Sequence, residues 1–157
     1  PAPADAKYSR EAFITEILKM QLADGVGGNE YGGWVLGGYG ASSDIDITAM
    51  AIQALAPYYN DDTVYTYTNK ATGKEVSKTV RQCVNEALDR LGTMQNANGG
   101  FTSWNTENVE SIAQVVVALL SGYRSRKGWA LCDRERQNTA RRNAPFQASE
   151  RRLLSHT

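Results

Sequence analysis

Apolar residues recur at helical spacing in four stretches of the chain, and each stretch opens on a residue suited to start a helix. After Ser9, the residues Phe13, Ile14, Ile17 and Leu18 make one apolar face. A second run extends from about Asp44 to Tyr58, a third follows Ser77 with Val80, Val84, Leu88 and Leu91 on one stripe, and a fourth runs from about Asn108 to Tyr123. The fourth is apolar nearly all round through Val115, Val116, Val117, Leu119 and Leu120, which predicts a helix buried on more than one side. Between the second and third runs, TVYTYTNKATGKEV (63–76) alternates Thr with Val and Tyr before Asn69 and Gly73, the pattern of a small β-hairpin.

The four runs belong to two copies of one unit. Setting SDIDITAMAIQAL (43–55) over ENVESIAQVVVAL (107–119) aligns Asp46 with Glu110, Ala49 with Ala113, Ile52 with Val116 and Ala54-Leu55 with Ala118-Leu119, at a constant offset of 64. Upstream of each second helix lies a Gly-Gly-aromatic step, Gly32-Gly33-Trp34 and Gly99-Gly100-Phe101, preceded by Met20-Gln21 and Met94-Gln95. Each unit therefore reads as two helices joined by a glycine-rich loop, over 9–58 and 77–123. In that loop glycine turns the chain after the first helix, and the aromatic ring fills the gap between neighbouring pairs.

The QNANGGF stretch (95–101) resembles the Gln-x-x-Asp-Gly-Gly-Phe signature of the prenyltransferase and squalene-cyclase repeat superfamily. DIDITA (44–49) is similar to the Asp-x-Asp-Asp-Thr-Ala segment of class II terpenoid cyclases within it. The resemblance covers roughly residues 8 to 123 and implies an all-α fold, a partial α/α toroid of helix pairs in two rings, here with the hairpin inserted around 63–76. Relatives include transcobalamin-like corrinoid carriers and repeat modules of bacterial surface proteins. The resemblance thus implies a secreted or cell-surface protein whose ligand is an isoprenoid, a corrinoid or a protein partner, and it makes Gln21 and Gln95 candidate clamps between helices.

Asp46 falls where the cyclases carry the carboxylic acid that protonates an alkene, but the next position is Ile47 rather than a further aspartate. Glu110 holds the same place in the second unit. A carboxylate in the first helical turn satisfies exposed amides and favours the positive end of the helix dipole, which accounts for both copies at once. The preferred reading is a non-catalytic binding or scaffold module; the alternative is a terpenoid cyclase with Asp46 as proton donor. A ligand is expected at the starts of the second helices and the loops before them, at Tyr39, Asp44, Asp46, Trp104 and Glu110.

Composition adds less. Residues 1–123 carry 8 basic and 14 acidic side chains, whereas 124–157 carry 9 and 3, so the net charge of zero hides two unlike parts. The tail 124–157 shows no helical stripe and too few aromatics to suggest nucleic-acid stacking; its composition is that of a disordered basic segment or of a frameshifted reading. One permitted back-translation of 123–133, read one nucleotide later, gives IDPGKDGRFV, similar to the connection between repeats in surface-protein relatives. Residues 1–8, opening on PAPADAK, read as a linker cut from something longer. No apolar stretch is long enough to span a membrane. Cys83 and Cys132 are too few for a disulfide framework, and the lone His156 near the end leaves no metal-ligand constellation, so neither metal nor cofactor is expected beyond the corrinoid.

Overall fold

The computed structural model describes residues 8–23, 31–38 and 42–121. They form four helices and two small two-stranded antiparallel sheets. Helix α1 spans Arg10–Lys19, α2 Ile45–Leu55, α3 Val80–Met94 and α4 Val109–Ser121. One sheet pairs β1 (Val64–Thr68) with β2 (Glu75–Thr79); the other pairs β3 (Thr102–Ser103) with β4 (Thr106–Glu107).

This arrangement corrects the expectation of an all-α toroid: the described chain is mixed α/β. The physical reason lies in the residues between the units. In β1, Tyr65 and Tyr67 turn into the core while Val64, Thr66 and Thr68 face outward, the period-two alternation that a half-buried strand requires. Register runs from Val64 opposite Thr79 to Thr68 opposite Glu75, so the strand takes in residues beyond 76. The turn is held by Asn69, whose Oδ1 accepts from the amides of Ala71 and Thr72 at 3.1 Å and whose Nδ2 donates to Gln21 O at 2.8 Å.

Ser77 consequently lies in β2 and does not start α3. Thr79 does: its hydroxyl accepts from Gln82 N–H at 3.2 Å, and Gln82 Oε1 accepts from Thr79 N–H at 2.8 Å, a reciprocal capping box. Helix α3 then buries Val80, Cys83, Val84, Ala87, Leu88 and Leu91 at spacings of three and four. Full burial of each large aliphatic side chain contributes about 1.5–3 kcal/mol. The core they join includes Leu18 of α1, Ala49, Ile52 and Leu55 of α2, Tyr65 and Tyr67 of β1, and Val115 and Ala118 of α4.

Two faces differ from the hydrophobic pattern. Phe13 in α1 is exposed and lies against the ring of Tyr8, with centroids 5.7 Å apart. Helix α4 buries only Ser111, Val115 and Ala118, with Val109, Val116, Val117 and Leu120 exposed, because α2 and the short turn after it are what pack against α4. The prediction of burial on more than one side fails because, among the described residues, no second element packs on α4 as closely as α2 does.

The repeat is reproduced in three dimensions. Gly32 and Gly99 both adopt positive φ, 95° and 89°. Gln21 Nε2 donates to Gly32 O at 2.9 Å, and Gln95 Nε2 to Gly99 O at 3.0 Å. Trp34 and Phe101 are both buried, and Trp34 Nε1 donates to Ile17 O at 2.8 Å, so the aromatic step packs the interior. Gln21 also donates to Cys83 O at 2.9 Å, clamping the first unit to α3 of the second.

Candidate functional site

The offset of 64 that relates the second helices also relates their caps, and the caps are not the residues that the acidic pattern singled out. Asp44 Oδ1 accepts from Ile47 N–H at 2.9 Å at the start of α2; Asn108 Oδ1 accepts from Ser111 N–H at 2.8 Å at the start of α4. Asp46 and Glu110 follow two residues later in the first turns, where their charge meets the helix dipole. Asp46 Oδ1 is buried and receives no hydrogen bond among the described residues, and the same holds for Ser111 Oγ on the facing helix.

A pocket of about 560 Å³ opens where the two units meet. Leu36, Asp44 and Ile45 line it from the first unit, and Met94, Ser103 and Trp104 from the second. A volume of this order suits one small organic ligand. The structure thus brings together two of the expected site residues, Asp44 and Trp104. Asp46 and Glu110 do not line the pocket, and Tyr39 lies outside the described residues.

Trp104 owes its place to a tight turn. Ser103 pairs with Thr106, so Trp104 and Asn105 are the two-residue loop of the β3–β4 hairpin, with φ of 52° and 62°. Such loops favour Asn and Gly because both central residues must take positive φ. Asn105 suits the position; a bulky indole there is strained. The hairpin is anchored beneath by Glu107, whose carboxylate accepts from Asn98 Nδ2 at 2.9 and 3.2 Å and from Asn96 Nδ2 at 3.3 Å. A Cβ at Gly100 would meet that carboxylate, so a larger residue there would push the Glu107 side chain off its asparagine partners. Trp104 is held on this base with 82 % of its surface exposed.

The polar groups of the pocket are few and placed around its apolar floor. Asp44 offers Oδ2, which takes no hydrogen bond among the described residues, while Oδ1 is held by the helix start. Ser42, Thr102 and Asn105 add hydroxyl and amide groups at the rim. Sequence reasoning passed over these three, because Trp104-Asn105 lacks the glycine that marks a two-residue hairpin loop. The pocket can hold and orient a ligand by indole contact and by hydrogen bonds to a carboxylate and hydroxyls.

The one cysteine in the described residues is unsuited to chemistry. Cys83 is buried, and that burial pushes its thiol up to about 11, beside the hydroxyl of Tyr67 at 3.6 Å. Tyr67 is likewise pushed upward, first by burial and then by Cys83. Among the described residues no group of three or more His, Cys, Asp or Glu side chains converges as a metal site, and no helix is long and apolar enough to cross a membrane. Comparison of the chain with protein-family models, with curated proteins and with solved structures gives no match.

Proposed function

We propose that this chain is a non-catalytic binding module whose ligand seats between Asp44 and Trp104. The observation that carries the reading is the indole of Trp104, kept exposed in left-handed backbone at the mouth of the pocket. A residue that costs stability where it stands, and packs on little, is placed for contact with something else. The resemblance of QNANGGF and DIDITA to the prenyltransferase and squalene-cyclase superfamily supports a secreted or cell-surface setting and an isoprenoid or a corrinoid as ligand. The test is titration of the full chain with cyanocobalamin, read by absorbance, and with farnesol, read by tryptophan fluorescence. Saturable binding of either probe, lost in Trp104→Asn, is the expected result; no saturable binding of either, or binding unchanged in the variant, refutes it.

One observation favours the rival reading of a terpenoid cyclase: Asp46 carries a buried oxygen that takes no hydrogen bond among the described residues, a polar group left for some other partner. Against it, Asp46 stands away from the pocket lining. Incubation with polyprenyl substrates separates the two, since cyclised product from wild type and none from Asp46→Asn would establish the enzyme.

A further inference from the structure

The internal repeat supplies a template for the exposed side of α4. Ile45, Ala49 and Ile52 of α2 are buried beneath α3 and α4, whereas their equivalents 64 residues on, Val109, Ala113 and Val116, are exposed. The contrast is large, 3 % against 70 % for Ile45 and Val109, and 0 % against 47 % for Ile52 and Val116. With Leu120, these α4 residues form one stripe at spacings of four, three and four, the seam that a packed helix presents to a neighbour. The side of α4 that is already occupied, Ser111, Val115 and Ala118, has its equivalents in Ile47, Ala51 and Ala54 of α2; Ala54 is exposed and the other two are half-buried. Helix α4 therefore leaves open the surface that α2 buries, and α2 leaves open, at Met50 and Ala54, part of the surface that α4 buries.

We propose that the chain associates head to tail, the exposed face of α4 in one copy docking on the exposed face of α2 in a second copy, by continuation of the α2–α4 interface within the chain. The contact at the centre of that interface tests the match. Within the chain, Gln53 Nε2 of α2 donates to Gln114 Oε1 of α4 at 3.0 Å and to Gln114 O at 3.2 Å. The equivalent of Gln53 is Val117 and that of Gln114 is Met50, both exposed. A polar pair within the chain thus becomes an apolar pair between copies, and neither surface leaves a polar group unmatched at that point. Gln95 agrees: its amide donates to Gly99 O, whereas its equivalent Gln21 also reaches Cys83 O of α3. In the second copy, α1 comes to the place that α3 holds beside Gln21. Such a head-to-tail contact adds copies until the rotation closes a ring, or without end as an open filament where it does not.

Sedimentation velocity and light scattering of the full chain over a concentration series provide the test, with Val117→Glu and Met50→Glu as variants at exposed positions. Wild type is expected to associate with rising concentration. Each variant alone should lose at least about tenfold in association constant, because a carboxylate is buried in an apolar contact. Mixing the two should restore a one-to-one complex, since each retains the surface that the other lacks. Wild type that stays monomeric throughout, a single variant that still associates like wild type, or a mixture that stays monomeric overturns the proposal. An intact Val117→Glu self-association would point to a face-to-face α2 dimer, and an intact Met50→Glu one to an α4 dimer. If either glutamate variant melts early, Val117→Gln and Met50→Gln replace it. Those uncharged changes should each weaken association, and the double variant should recover part of it through a Gln–Gln pair between copies.

Discussion

Replacing Gln21 by Leu asks how much of the joint between the two units rests on one amide. Gln21 is buried, and its Nε2 donates to Gly32 O and to Cys83 O, both at 2.9 Å. Leucine fills a similar volume, so the change removes two hydrogen bonds without opening a large cavity. Gly32 O then loses its side-chain donor inside the protein, at a cost of about 1–3 kcal/mol for a stranded buried acceptor. Cys83 O sits within α3 and keeps a helical partner, so its loss is nearer the ordinary net value of about 0.5–1.5 kcal/mol. The sum is about 1.5–4.5 kcal/mol. Gln95→Leu is the internal control, since it breaks a single bond, to Gly99 O, at a partly buried site, worth about 0.5–1.5 kcal/mol. Urea unfolding followed by helical circular dichroism gives both values. If Gln21→Leu destabilises no more than Gln95→Leu, or by less than about 1 kcal/mol, the amide does not join the units and the clamp assignment is wrong.

Trp104→Asn should raise stability by about 1 kcal/mol, because a residue tolerant of positive φ relieves the turn, and thermal melting will show the gain. Loss of stability would mean that the indole packs on the protein rather than serving a ligand. Asp44→Ala should cost about 1 kcal/mol by removing the cap on Ile47 N–H, while Asp46→Asn should cost less; equal effects in calorimetry would contradict the assignment of the cap to Asp44. Stability should fall as pH rises from 9 to 11. The unfolded chain ionises Cys83 near its ordinary 9.0, and the fold holds the neutral thiol up to about 11, so a contribution of about 3 kcal/mol present below pH 9 is lost across that window. Tyr67, also pushed upward by burial, acts in the same direction. Unfolding free energies that stay level from pH 8 to 11 would refute the buried-thiol account.

Features that depend on a few neighbouring residues were legible in the amino-acid order. Ser9 caps α1 as read, the two Gly-Gly-aromatic steps turn the chain at positive φ, and the Thr-Tyr alternation of β1 forms its hairpin. The repeat survives into the caps, the glutamine bonds and the buried aromatics, because each is set within one loop and one helix start. Tertiary structure decided the rest. Thr79 rather than Ser77 starts α3, since pairing with Val64 draws Ser77 into β2. The all-α class implied by the resemblance gave way with it, since the expected hairpin is joined by a second short sheet, β3–β4. Asp44 and Trp104 share a pocket only because the tip of the β3–β4 hairpin lies against the start of α2 from a different unit. Periodicity marks which residues of a helix are apolar, but a neighbour must be present to bury them. That is why the same repeat positions are interior in α2 and exposed in α4.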